Sequence, residues 1–130
     1  MSKVETIRKY YDLWIAADRA GIENLIAEDI IYTESYGPQH HGLSEIIKWF
    51  DDWTPKAKVI CWDITNYIEQ GNTCVVEWFF QFETNGEEHV SDGASIVEFN
   101  HEGKISIMKE FQAEHDHYYP YATQRMRKES

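Results

Sequence analysis

After Pro55 the sequence commits to extended structure. Four segments rich in β-branched and aromatic residues, Lys58 to Ile68, Thr73 to Glu83, His89 to Phe99 and Lys104 to Ala113, follow one another with only short breaks. Gln70, Gly71 and Asn72 fill the first break, Asn85 and Gly86 mark the second, and Glu102 with Gly103 the third. Asn-Gly supplies the two positive-φ residues that a two-residue hairpin needs. Breaks this short cannot return the chain to start a parallel neighbour, so the segments are expected to form a four-stranded antiparallel meander.

The N-terminal part has a different period. Val4, Ile7, Tyr11, Trp14 and Ile15 recur at intervals of three and four, which predicts a helix over residues 3 to 19 with one buried stripe, and Tyr10 lies four residues before Trp14 on its flank. Gly21 ends that run, and a short second helix is expected from Ile22 to Glu28. Ile30 to Glu34 reads as a short strand entering a turn at Gly37 and Pro38. Ser44 and Glu45 lead into an amphipathic helix carrying Ile46, Ile47, Trp49 and Phe50, which cannot pass Pro55. Helices first and a meander afterwards make an α+β protein, and 130 residues suit a single domain with its core in residues 4–113 and an extension over 114–130.

Centring the strands on their turns sets Cys61 opposite Phe80 and Cys74 opposite Tyr67, and aligns Asp63, Trp78, Gly93 and Glu110 on one face. Thr65, Val76, Phe80, Ser91, Ser95, Met108 and Gln112 share that face by the period of two, while Ile60, Trp62, Val75, Phe79, Ile96, Ile107 and Phe111 occupy the other. Both faces are rich in apolar residues and need covers. The helices cover one; a second copy of the chain, forming a homodimer through the outer face, is expected over the other.

Charge removes several classes of function. With 12 Lys and Arg against 23 Asp and Glu the net charge is −11, which repels nucleic-acid backbones and anionic lipid. The start of the chain has no apolar signal region, and no run is long enough to span a membrane, so neither a nucleic-acid nor a membrane partner is expected and the cytoplasm is the expected location. Cys61 and Cys74 have no zinc-ligand spacing and fall apart in the register, so no disulfide is expected. Glycine-rich phosphate loops and nucleophile-elbow serines are missing. His40 with His41, and Glu114 to His117, are the metal-like clusters, but adjacent strand residues face opposite ways, and no metal site is expected.

Carboxylates among apolar neighbours remain. Glu34 ends a strand beside Tyr32 and Tyr36, while Asp63 and Glu110 flank Trp78. Lost hydration raises the pKa of such a group toward the range of general acid–base work, although each could equally be a paired structural group. Trp14, Trp49, Trp53, Trp78 and Phe80 fall on elements that converge between the helices and the first sheet face, which suits a cavity for an apolar or aromatic small molecule as well as it suits a bulky core.

Leu25 to Ile30 leading into a strand, His41, Gly42 and Leu43 before the third helix with Ile46 and Ile47, and Phe99 to Ile105 with Gly103 and Phe111 give the chain a resemblance to the nuclear transport factor 2-like superfamily, in its SnoaL-like and ketosteroid-isomerase-like branch. The resemblance covers nearly all of residues 4–113 and implies a cystatin-like roll: a cone-shaped, curved antiparallel sheet with three helices closing a cavity, often dimeric. It implies a carboxylate base at Glu34 and an oxyanion-binding tyrosine at Tyr10. The family's acid position falls on Ser95, a weaker donor, and Gln112 stands where an aromatic residue often ends the last strand. The implied activity is a cofactor-independent isomerisation, cyclisation or dehydration by proton abstraction next to a carbonyl. Glu34 would take the proton, Tyr10 with Ser95 or Asp63 would bind the enolate oxygen, and Trp14, Trp49, Trp53, Trp78, Phe80, Met108, Glu110 and Gln112 would line the ligand site. The alternatives are a non-catalytic small-ligand-binding domain and a protein-interaction module using the outer face and Tyr118, Tyr119 and Tyr121.

Overall fold

The computed structural model describes residues 1–122. Its elements are α1 (Lys3–Ala16), α2 (Ile22–Leu25), β1 (Ile26–Thr33), β2 (Gln39–His41), α3 (Leu43–Trp53), β3 (Ala57–Gln70), β4 (Thr73–Thr84), β5 (Glu87–Phe99) and β6 (Ile105–Ala113). The α+β class, the three helices and the antiparallel β3 to β6 meander agree with the sequence reading. Asn85 and Gly86 both have positive φ, as the hairpin signal required.

The expected cone is corrected. All six strands form one sheet in the order β2-β1-β6-β5-β4-β3, with β2 and β3 at its two edges, so the sheet is open and does not close or curl round a cavity. It is also mixed. β1 pairs parallel with β6, because the whole of α3 and the meander lies between them and gives the chain room to return in the same direction. The N-terminal strands thus extend the sheet beyond β6 and never reach β3.

Local chemistry explains the element ends. Ser2 and Glu5 form a reciprocal capping box on α1, and Ala17 closes that helix in a left-handed conformation. α3 starts one residue before the expected cap at Ser44: Gly42 donates to Ile30 O at 2.8 Å, and the Glu45 carboxylate accepts from His41 N at 2.6 Å. α1 packs against β3 and α3 against β1. Ile7, Tyr10, Tyr11, Ile22, Ile26, Ile30, Tyr32, Ile46 and Met108 are fully buried between helices and sheet.

The expected register survives in part. Trp78 lies opposite Gly93 as expected, but irregularities between Val59 and Cys61 and between Ile64 and Asn66 shift β3, setting Cys61 opposite Gln81 and Cys74 opposite Glu69. The first shift inserts one residue and exchanges the faces of the residues beyond it. Trp62 turns inward, where it stacks on Tyr11 at 3.8 Å, and Asp63 is left exposed. β6 is displaced by two residues from its expected pairing, so Glu110 keeps its face but lies opposite Ser95 rather than Gly93. Residues 114–122 are neither helix nor strand, and the remainder of the expected extension, 123–130, lies outside the described residues.

Candidate functional site

The parallel pairing of β1 with β6 builds the polar end of the site. Its last rungs are Tyr32 with Met108 and Thr33 with Lys109, and the next residues along are Glu34 and Glu110. Neighbouring strands are about 4.8 Å apart, so this register brings two carboxyl groups side by side on the helix-covered face. Tyr32, two residues before Glu34 and therefore on the same face, donates its hydroxyl to Glu110 Oε2 at 2.7 Å.

Glu34 is 8% exposed although it sits just past the strand. A tight loop holds it: its N–H donates to Pro38 O at 2.9 Å, and Gly37, at φ 125°, supplies the positive φ that the turn needs. Both carboxylate oxygens are occupied. Tyr36 donates its hydroxyl to Oε1 at 2.8 Å, and His40 Nε2 lies 2.8 Å from Oε2, which as an acceptor places the ring proton on Nε2. β2 aims His40 inward because it pairs with Tyr32, and the imidazole stacks on Trp49 at 4.6 Å; His41 next to it faces outward and meets Gln39 instead. Burial, together with the neighbouring Glu34 carboxylate, raises the Tyr36 phenol to about 12.

Glu110 is in a different electrostatic state. Burial first, and then the adjacent Glu34 charge, push its carboxyl up to about 8 against the opposing hydrogen bond from Tyr32. That value lies above neutrality, which makes Glu110 the member of the pair set up to donate a hydrogen bond.

The cavity these groups open into has a volume of about 200 Å³. Glu34, Ser35, Tyr36, Glu110 and Gln112 line its polar end, and Trp14, Trp49, Trp53, Val59, Trp62, Trp78, Phe80 and Phe82 its walls. All five tryptophans of the chain are in that lining. Trp78 is fixed across the sheet: its ring lies over Gly93, where a Cβ would come within 2.3 Å of Cη2, and its Nε1 donates to Ser95 Oγ at 2.9 Å.

The expected site residues thus divide. Glu34, Glu110, Gln112, Trp14, Trp49, Trp53, Trp78 and Phe80 come together round the cavity. Tyr10, Ser95 and Met108 are fully buried and do not line it. Tyr10 is packed among Tyr11, Tyr32 and Trp62 with its hydroxyl unpartnered, and Ser95 accepts from both Tyr11, at 3.0 Å, and Trp78. Asp63 is exposed on the opposite side of β3. Four residues outside the expected set matter here: Trp62, Phe82, His40 and Tyr36. The β3 irregularity hid Trp62. Tyr36 and His40 required the short β2 hairpin, whose only sequence signal was Gly37-Pro38. Among the described residues no three His, Cys, Asp or Glu side chains gather as a metal site, and no helix is long and apolar enough to cross a membrane.

Comparison with known structures places this architecture. A mycobacterial LEH-like epoxide hydrolase from M. tuberculosis superposes with a TM-score of 0.77 at 9% identity, over 85% of this chain and 82% of that one. A protein of unknown function with a cystatin-like fold from Xanthomonas campestris gives 0.72 at 17% identity, over 88% and 92%. A hypothetical protein with a ketosteroid isomerase-like fold from Catenulispora acidiphila, solved in complex with trimethylamine, gives 0.73 at 15%, over 94% and 91%. At these identities the likeness is one of fold. No curated protein matches the sequence. The model of the SnoaL-like domain matches residues 7–108, the span that holds most of α1, every strand up to Met108 and most of the cavity wall. The chain therefore belongs to the SnoaL-like family of the nuclear transport factor 2-like superfamily.

Proposed function

We propose that the chain binds a small apolar carbonyl compound and moves a proton on the carbon next to the carbonyl, without a cofactor. The observation that carries this reading is the pairing, in one aromatic cavity, of Glu34, which has a hydrogen-bond partner on each carboxylate oxygen, with Glu110, whose carboxyl desolvation pushes up to about 8. Glu34 takes the proton, and the C–H electron pair moves into the carbon–carbon bond as the carbonyl oxygen gains charge. Glu110 donates a hydrogen bond to that oxygen, the place where charge develops. Return of the proton from Glu34 to another carbon completes an isomerisation; attack of the enolate carbon on a second carbonyl of the same molecule, whose π electrons move to its oxygen, completes a cyclisation once that alkoxide takes the proton back from Glu34. Glu110 thus supplies the acid missing at Ser95, whose hydroxyl is engaged by Tyr11 and Trp78, and the roles first expected of Tyr10, Ser95 and Asp63 are dropped. A homodimer formed through the outer sheet face, where Phe111 is 54% exposed and Ile68 70%, accompanies this reading.

The test is proton exchange in deuterium oxide across a panel of enolisable cyclic ketones. Replacing Glu34 by Gln should slow exchange by about a hundred-fold or more while ligand affinity stays within a few-fold. Equal loss of affinity and exchange would instead favour the second reading, a non-catalytic ligand-binding domain in which Glu34 only orients a polar group.

A further inference from the structure

We infer that the same cavity is also a site for organic ammonium cations, which occupy it in competition with a neutral carbonyl ligand. The inference rests on the cavity being a ligand site, as the carbonyl reading holds, but not on its catalysing a reaction. Two independent features of the wall point to a cation. Indole and phenyl faces carry negative quadrupole charge and attract alkylammonium groups, tryptophan most strongly. All five tryptophans of the chain line this one space, which a trimethylammonium group fits at about 200 Å³. The second feature is charge: the lining contains two carboxyl groups and no Lys or Arg. Surrounding both is a chain of net charge −11, whose field draws cations toward a low-dielectric cleft and drives anions away.

Occupation by a cation changes the carboxyl pair. Glu110 faces Glu34 and Tyr32 from β1 and its following loop, and Tyr10 and Tyr11 from α1, with Tyr36 and His40 on the far side of Glu34. Of these only His40 can bring a positive charge, and it is bound to Glu34. A permanent cation placed in the cavity favours the ionised form of Glu110, so binding expels the Glu110 proton to solvent. Both carboxylates then act as counter-ions, and Glu110 can no longer donate to a carbonyl oxygen. An organic ammonium is on this account an inhibitor of acid–base chemistry at the site, and its affinity rises with pH as Glu110 loses its proton.

Choline and 3,3-dimethylbutan-1-ol test this directly, because they have the same shape and differ by the charge at one atom. Titrations followed by tryptophan emission and by calorimetry in two buffers of different ionisation enthalpy should show choline binding at least about ten-fold tighter than the alcohol. They should also show proton release with choline alone, and choline affinity increasing between pH 7 and 9, the range around the Glu110 value of about 8. Replacing both Glu34 and Glu110 by Gln should narrow the gap between the two probes, leaving choline the preference that the tryptophan faces give, and abolish the proton release, with unchanged circular dichroism confirming the fold. Alcohol binding as tight as choline binding in the unmodified protein would overturn the inference and leave the carbonyl reading standing. Absence of binding by either probe would overturn it too, and together with failure of the ketone panel would remove the cavity as a ligand site.

Discussion

Glu110 shows how one half-buried group can tie the chemistry of a site to the stability of the fold. Its carboxyl holds a proton up to about pH 8 in the folded chain, while in the unfolded chain it titrates near 4.5. Over that window the folded state binds more protons than the unfolded one, so this group's contribution to stability is fully present below about pH 4.5 and is lost as the pH rises toward 8. Glu110→Gln keeps a neutral amide at the same place and removes that slope. Urea unfolding at pH 5, 6.5 and 8 should show a smaller decline for the variant than for the parent, with the variant at least as stable at pH 8; parallel pH profiles would mean that Glu110 is ionised in the fold. Sequence reasoning found both carboxylates, because apolar neighbours around an acid are visible in one dimension. It could not find that they are neighbours, since residues 34 and 110 meet only through a strand pairing that no turn signal marks. The contact between Tyr11 and Ser95 was hidden for a related reason: adjacent helix positions differ by about 100°, and only packing decides which hydroxyl reaches Ser95.

At the level of elements, β4 and β5 were legible and β3 was not. The Asn85-Gly86 turn fixed the register that sets Trp78 over Gly93, and that pair has a sharp requirement. A Cβ at position 93 would lie 2.3 Å from Trp78 Cη2 and 2.5 Å from the Phe111 carbonyl oxygen, so either the indole or the β5–β6 backbone must move. Gly93→Ala should therefore cost about 1–3 kcal/mol in urea unfolding and disturb the cavity wall, seen as altered tryptophan emission in the folded state. A variant as stable as the parent with the same emission would show that Trp78 does not cross the strand there. In β3 the hairpin at Gly71 predicted simple alternation, and the two inserted irregularities defeated it. Each shift leaves the hydrophobic count of the strand unchanged while the first turns Trp62 in and Asp63 out, which is why composition and period gave no warning.

For the whole molecule, charge and surface argue in different directions. A net charge of −11 keeps copies apart at low ionic strength, whereas Phe111 and Ile68, 54% and 70% exposed, offer an apolar outer face. If that face joins two copies, sedimentation should give a dimer whose association strengthens as salt screens the repulsion, and Phe111→Glu should yield a folded monomer. A parent chain that sediments as a monomer at all salt concentrations would exclude the dimer. The α+β class and the meander were readable because each depends on local turns and periods. The open, mixed sheet was not, because its topology is decided by where β1 docks, and that contact spans most of the chain.

The docking of β1 on β6 also has a consequence for how the protein is made. The strand that leads into Glu34 leaves the ribosome well before the strand it pairs with, because β2, α3 and three strands of the meander lie between them. Until residues 105–113 emerge, β1 and its β2 hairpin have no sheet to join, and Tyr32 has no carboxyl to meet. The nascent N-terminal half must wait with its apolar residues uncovered, held only by local helix and hairpin contacts. Synthesis of β6 therefore completes the sheet and the carboxyl pair in a single late step, and a message cut short before it would release a chain with neither.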